Sequence, residues 1–531
     1  MITTPKNTLL FVHIATHFKE IIRVARLLKS HSGYEPIIFF NAGYDGVKRD
    51  IAVCESEGIA IVPFFAKNQI TPKQKLWLRI LRFGIRKFLA FLEIVKYLFR
   101  FISPIKRLFD VLPRFDKKAA NEELKLQEKW ERASENNSQP SIRSTKKISK
   151  YLLGCYRFIW NNIPQLLPTI SRSAYEYYHS IPKVLLKHNV KLMVFPEHNL
   201  FYFTQIFVYL GRKSNIPSII VPFTIANTLE WSEAFYNDPG RSLTKMYNKF
   251  CANAFPHWVH VYKGRSLLLP VEIVLIHEML NITPENPWLL NSGDIDFLAL
   301  ESDAMKEYYL TAGIDGRHLR ATGALCNDEL YSRVQQAAAF RRQLYQSLHF
   351  NEDKPMILCA LPPDQCSSRK EFIEFRDFEE TVRFIMKELS EYSTQYHIVI
   401  NLHPRTNPSS VEFINTYPVK IFYGDIAEVI PLSAIFIAVG SATIRMAITC
   451  GVPVINYDLY RYRYDDYDNL KGVLTIFDKN EFVLTLEKLA NQIEFYEEIK
   501  MAQIEKSDVW GRLDGQAGKN LLSEIDLLFA N

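Results

Sequence analysis

Short apolar runs rich in β-branched residues recur along this chain, each followed by a stretch whose apolar residues fall at helical spacing. In the first half they are TLLFVHIA (8–15), EPIIFFNAG (35–43), IAIVPFF (59–65), KLMVFPEHN (191–199), PSIIVPFTI (217–225) and DFLALES (296–302). The second half restarts with PMILCALPP (355–363), HIVINLHP (397–404), VKIFYGD (419–425), AIFIAVGS (434–441), VPVINYD (452–458) and GVLTIFD (472–478). Strands apolar on both faces need helices above and below, which restricts the chain to doubly wound parallel sheets. At 531 residues it exceeds one compact core,. The expected organisation is α/β with two Rossmann-like domains facing a cleft: 1–330, 331–505, and a C-terminal helix over 506–531. Ligand is expected at the carboxyl ends of the strands, between the domains.

The first pattern is interrupted at about 66–190. Between Lys73 and Arg114 stand eleven Lys or Arg against two acidic residues, Glu93 and Asp110. Lys75, Arg79, Arg82, Arg86, Lys96 and Arg100 recur at helical steps, leaving Trp77, Leu81, Phe88, Leu92, Val95 and Phe99 for the opposite side. Such a basic amphipathic helix can lie in an anionic membrane interface, or can pack on the core with a solvated face. Nothing here carries a nucleic-acid recognition motif. No apolar run reaches the length of a membrane span, and the N-terminus has the wrong flanks for a signal peptide. Seven scattered cysteines without a CxxC pair suggest neither a disulfide framework nor a zinc site, and fit a reducing, cytoplasmic setting,.

Two strand ends carry the chemistry. One runs into His403-Pro404-Arg405 and the other into Gly440-Ser441-Ala442-Thr443. A helix starting at Ser441 with hydroxyl residues leading it has free N–H groups that favour phosphate; Ser441 can equally be only a cap. A histidine ending a neighbouring strand can donate a hydrogen bond to the same phosphate, and Pro404 fixes the turn that presents it; loop carbonyls could instead satisfy the ring. Gly440, Ser441, Thr443, His403 and Arg405 are thus the candidate phosphate-binding set. Asp364 and Arg369, just past the first strand of the same domain, and Asp425, after IFYG, are candidates for nucleotide contacts, the loop at 361–369 being otherwise a surface turn.

His403-Pro404 after one strand, then Gly440-Ser441-Ala442-Thr443 and CGVPVI, resembles the donor-binding half of GT-B glycosyltransferases. In particular it is similar to the capsule Kdo transferases and HP-motif bacterial sialyltransferases, which use CMP-activated ulosonic acids. The resemblance covers about 355–480. It implies that His403 contacts the nucleotide phosphate and Ser441 binds the same group. HP and GS elements also occur in CDP-glycerol glycerophosphotransferases and UDP-GlcNAc 2-epimerases, and the acidic D/E-D/E-G motif of the sialyltransferases has no clear copy here.

On the facing domain an inverting transfer needs a group that accepts the acceptor hydroxyl's proton. Glu197 and His198 close one strand and Glu230 follows another, with His17 in the first loop as an acceptor contact. That loop lacks GxGxxG, so a dinucleotide site is not expected. The implied protein is a glycosyltransferase without cofactor or metal, taking a nucleotide-sugar and a surface-polysaccharide or lipid-linked glycan, held peripherally at the inner face of the membrane. Within enzymes the rivals are a CDP-polyol phosphotransferase and a UDP-GlcNAc 2-epimerase; outside them, a GT-B-shaped scaffold without turnover.

Overall fold

The computed structural model describes residues 5–63, 142–222, 228–350, 353–367, 369–403 and 405–530. The expected basic helix at 73–114, Pro404 and the side chain of Glu230 lie outside them.

Two parallel sheets form the frame. The first holds β1 (Lys6–Val12), β2 (Tyr34–Phe40), β3 (Ala60–Pro63), β4 (Val190–Phe195), β5 (Ser218–Ile220), β8 (Phe297–Leu300) and β9 (Leu319–Ala321), in the order β3-β2-β1-β4-β5-β8-β9. A small antiparallel hairpin, β6 (Val259–Tyr262) and β7 (Arg265–Leu268), stands apart from it. The second sheet holds β10 (Met356–Ala360), β11 (His397–Asn401), β12 (Lys420–Phe422), β13 (Ile435–Ala438), β14 (Val454–Tyr457) and β15 (Val473–Ile476), in the order β12-β11-β10-β13-β14-β15. Each order reverses beside its first strand, at β1/β4 and at β10/β13, the position where loops diverge and a crevice opens. The fold is α/β with two Rossmann-like domains.

Alternating residues of each strand enter different cores, as the period of a strand requires. Leu10, Val12, Ile38, Phe40, Leu192 and Val194 pack under the Ala15–Ser30 helix and, from the far end of the chain, Leu521 and Ile525 of the Ala517–Leu527 helix. Asp328 caps that last helix by accepting from the Ala517 and Gly518 amides at 3.0 and 2.8 Å. Leu9, Phe11, Met193 and Phe195 face the other way, into a cluster that continues without a break to Met356, Leu358, Phe436 and Val454 of the second sheet. One apolar core therefore runs through both domains. The outer face of the second sheet, Ile357, Cys359, Ile398, Ile400, Ile435 and Ile437, closes over its own helices.

The segment after β12 forms two 3-10 turns, Ile426–Glu428 and Ile430–Leu432, because Pro431 removes a donor from any continuous ladder,. The long helix after β15 breaks at Gln492 into Lys479–Asn491 and Ile493–Glu505. The helix after Gly440 covers Ile444–Thr449.

Candidate functional site

The carboxyl ends of β10, β11, β13 and β14 share one edge. His403 follows β11, and its Nδ1 accepts from the Arg405 amide at 3.1 Å. The remaining proton is therefore on Nε2. Burial, assisted by the Arg405 charge, lowers the imidazole pKa to about 4, so His403 is a neutral donor at neutral pH. Arg405 is exposed.

The turn after β13 is built by Gly440, whose φ of +52° lies in the left-handed region. Asn456 of β14 accepts from its amide at 3.0 Å. Ser441 Oγ accepts from the Thr443 amide at 3.3 Å and lies 2.8 Å from Thr443 Oγ1, so both hydroxyls are tied into the turn. The six-residue helix behind them supplies little dipole; what the turn offers a ligand is two hydroxyls and local amides,. In the strand order β10 separates β11 from β13, so His403 and Ser441 are not on adjacent strands. They flank β10 about two strand spacings apart, roughly 10 Å, a gap that a phosphate with its ester groups can bridge.

The loop after β10 completes this edge. Asp364 is exposed and spends Oδ1 on the Cys366 amide at 3.0 Å, as a turn former. Arg369 reaches across the domains: Nη1 lies 3.2 Å from Glu233 Oε2, the two side chains being 11% and 5% exposed, and its guanidinium sits 4.3 Å from the centre of the Tyr462 ring. Glu233 also pairs with Lys263 and accepts from Tyr262. Tyr462 in turn stacks on Tyr464 at 5.2 Å and lies beside Gly440. Its loop is held by Asp458, which accepts from the Tyr462 and Arg463 amides at 2.9 and 2.7 Å. Arg461 and Arg463 both take a φ of +55°, a conformation uncommon for residues with side chains and concentrated at functional loops,. Burial raises the Asp458 pKa against those two amide bonds.

Asp425 is committed elsewhere. Its Oδ1 accepts from the Ala427 amide at 3.2 Å and Oδ2 lies 3.0 Å from Lys19 Nζ, an ion pair between the two domains. Burial opposes its charge, but Lys19 and the amide outweigh it and hold the pKa below the usual aspartate value. A second cross-domain pair joins Arg445, in the short helix after Gly440, to Glu301 after β8.

On the first domain, His17 has no exposed surface and Glu197 is 5% exposed. His17 Nε2 lies 3.2 Å from Glu197 Oε1, Asn199 donates to the same oxygen at 3.2 Å, and His17 Nδ1 accepts from the His13 amide at 3.3 Å. The expected acceptor contact of His17 is thus displaced inward: it stands behind the cleft surface, because His17 and Phe18 lie on the buried side of their helix while Ala15 and Thr16 before them are exposed. His198 turns away from the cleft as well. Its ring is fully buried against Gln205, its amide donates to Asn291 Oδ1 at 2.7 Å, and burial lowers its pKa to about 4. Glu230 lies in the Thr228–Tyr236 helix.

Sequence reasoning missed His13, the residue that reaches the surface at the end of β1. Its ring stacks 3.9 Å over Tyr202, its Nδ1 lies 2.7 Å from Asn41 Nδ2, and burial with the neighbouring His17 lowers its pKa to about 4. It also missed Glu233 and the loop DLYRYRY (458–464). The alternation of Tyr and Arg straight after a strand was the available signal for the loop. Glu233 had none, since a glutamate inside a helix is ordinary.

No family model and no curated protein sequence matches this chain. Solved structures do. The calicheamicin glycosyltransferase CalG4 aligns with a TM-score of 0.50 at 10% identity, over 99% of each chain. UDP-GlcNAc 2-epimerase from Neisseria meningitidis, bound to UDP-GlcNAc, aligns at 0.49 and 12% identity over 99% of this chain and 100% of its own. A glycosyltransferase from Rickettsia africae aligns at 0.45 and 10% over the whole of both chains. The likeness to CalG4 is one of architecture, the two-domain GT-B arrangement.

Proposed function

We propose that the protein is a GT-B glycosyltransferase that moves a sugar from a nucleotide donor to a glycan acceptor. The observation that carries this reading is the shared carboxyl edge of the second sheet, where a neutral His403 with a proton on Nε2 and the Gly440–Thr443 turn flank β10 beneath Arg369 and Tyr462. As the glycosidic bond breaks, charge grows on the leaving phosphate. A donor aimed there stabilises the transition state more than the ground state. The imidazole stays neutral, with Nδ1 held by the Arg405 amide, and its Nε2–H hydrogen bond to the phosphate strengthens as that charge grows,.

Across the cleft, His13 is the group placed to receive the acceptor's proton. Asn41 Oδ1 has no hydrogen-bond partner, and rotating that amide puts the His13 proton on Nδ1 and frees Nε2 to accept,. Glu197, the base first expected, acts on this reading as a positioning residue through His17, whose Nδ1 holds the His13 amide. The donor is a CMP-activated ulosonic acid such as Kdo or sialic acid, and the acceptor a lipid-linked or surface-polysaccharide glycan at the inner face of the membrane. The ulosonic acid rests on the resemblance of the HP and GS elements and on the arginines near them, which suit a donor bearing a carboxylate as well as a phosphate.

The test is to incubate the purified protein with CMP-, CDP- and UDP-linked donors, with and without glycan, and identify the nucleotide released. CMP released only with acceptor is the expected result. CDP-linked turnover would make it a polyol-phosphate transferase, UDP released without acceptor a hydrolysing epimerase, and no turnover of any donor a scaffold.

A further inference from the structure

Over residues 149–162, the Ile142–Asn162 helix buries one side only. Tyr156 donates to Ser171 Oγ at 2.6 Å, and Trp160 meets Tyr175 and Tyr178 edge-on, fixing the helix to its Thr169–Lys187 neighbour. The other side carries Tyr151, 76% exposed, and Phe158, 59% exposed, with the exposed thiol of Cys155 between them. Seven residues is close to two full turns, so Tyr151 and Phe158 share a direction to within roughly 20°. Large rings held in water on one line of a well-packed helix mark a contact surface.

Charge identifies what the surface meets. From Ile142 to Tyr175 the chain carries Arg143, Lys146, Lys147, Lys150, Arg157 and Arg172 and no acidic residue. Lys150 and Arg157, again seven apart, form a line beside the aromatic one, and Arg157 is anchored by donating to the Met279 carbonyl at 3.0 Å. Aromatic rings beside a one-sided row of cations suit a bilayer with anionic headgroups, where rings settle at headgroup level and ammonium groups meet lipid phosphates. None of the described helices is long and apolar enough to cross a membrane.

We propose that this helix lies flat on an anionic bilayer, with Tyr151 and Phe158 inserted at the headgroup level. The surface is distinct from residues 73–114, and binding to it requires no sugar transfer, so it goes beyond the proposed function and stands or falls separately.

The full chain is tested by sedimentation with phosphatidylcholine vesicles, with and without phosphatidylglycerol. It should pellet only with the anionic ones. The triple variant Lys146→Glu, Lys147→Glu, Lys150→Glu should bind on the order of a hundredfold more weakly, and Tyr151→Ser with Phe158→Ser about tenfold more weakly. All five substitutions should leave nucleotide binding unchanged. An environment-sensitive dye on Cys155, with Cys155→Ser as control, should shift to the blue with anionic vesicles. Absence of anionic-vesicle binding by the unaltered chain, wild-type binding by both variants, or a dye that stays in water while the chain pellets would each overturn the proposal. The last result would place the membrane contact elsewhere, or signal a protein partner for this face.

Discussion

His403 has one nitrogen to offer, because the Arg405 amide occupies the other. Replacing it with alanine removes a single preorganised donor, which at such positions lowers the rate by about a hundredfold or more. His403→Ala is therefore expected to depress kcat for donor cleavage by about that factor while the thermal midpoint barely moves, since the ring is only half buried. His403→Gln, whose amide can reach a similar point, should recover part of the loss. Steady-state kinetics on the two variants checks this, and equal rates for all three proteins would remove His403 from the mechanism. Gly440 works at the same scale by a different means. Its positive φ aims Ser441 at the edge, a backbone setting that a side chain disfavours by about 1–2 kcal/mol,.

At the level of elements, the loop after β10 and the Thr228–Tyr236 helix are joined by Arg369 and Glu233. Breaking one partner of a buried pair strands the other charge and costs about 3–5 kcal/mol, whereas replacing both by apolar residues is close to neutral. Glu233 keeps Lys263 and Tyr262 when the arginine is lost, so Arg369→Met alone should lower the urea midpoint by less than that cost implies, and a triple variant, Arg369→Met with Glu233→Met and Lys263→Met, should restore it. If Arg369 also meets the donor, nucleotide affinity measured by calorimetry stays low in the triple variant. Recovery of affinity together with stability would make the arginine purely structural. The strands were readable because their β-branched runs are buried on both faces, and the HP and GS turns because strand ends are marked by Gly, Pro and Ser. The inward placement of His17 and His198 was not. Each follows a strand as a cleft residue would, and only the packing of Gln205, Gly293 and Glu197 around them decides which way a ring turns. Asp425 was misplaced for a related reason: its partner, Lys19, lies some four hundred residues away in sequence.

Across the whole molecule, two histidines report on folding itself. His198 and His277 are fully buried, and burial lowers both to about 4. Above the unfolded value of about 6.5 they are neutral in both states and their contribution is complete. As pH falls from about 6.5 to 4, the unfolded chain takes up protons that the folded one refuses, so stability declines through that window, by roughly 3 kcal/mol for each ring at its foot. Urea unfolding across this range should show the decline, and His277→Gln should make it shallower. An unchanged slope in the variant would mean that carboxylates alone set the acid limit.

The final helix of the chain packs under the first sheet, far in sequence from the strands it covers. The polypeptide consequently passes between the lobes twice, once outward near residues 322–355 and once on its return near 477–516. Two covalent straps define an axis. Any gape of the molecule must then be a bend about that line, like a book on its spine, and a free swivel of one half on the other is forbidden by connectivity alone.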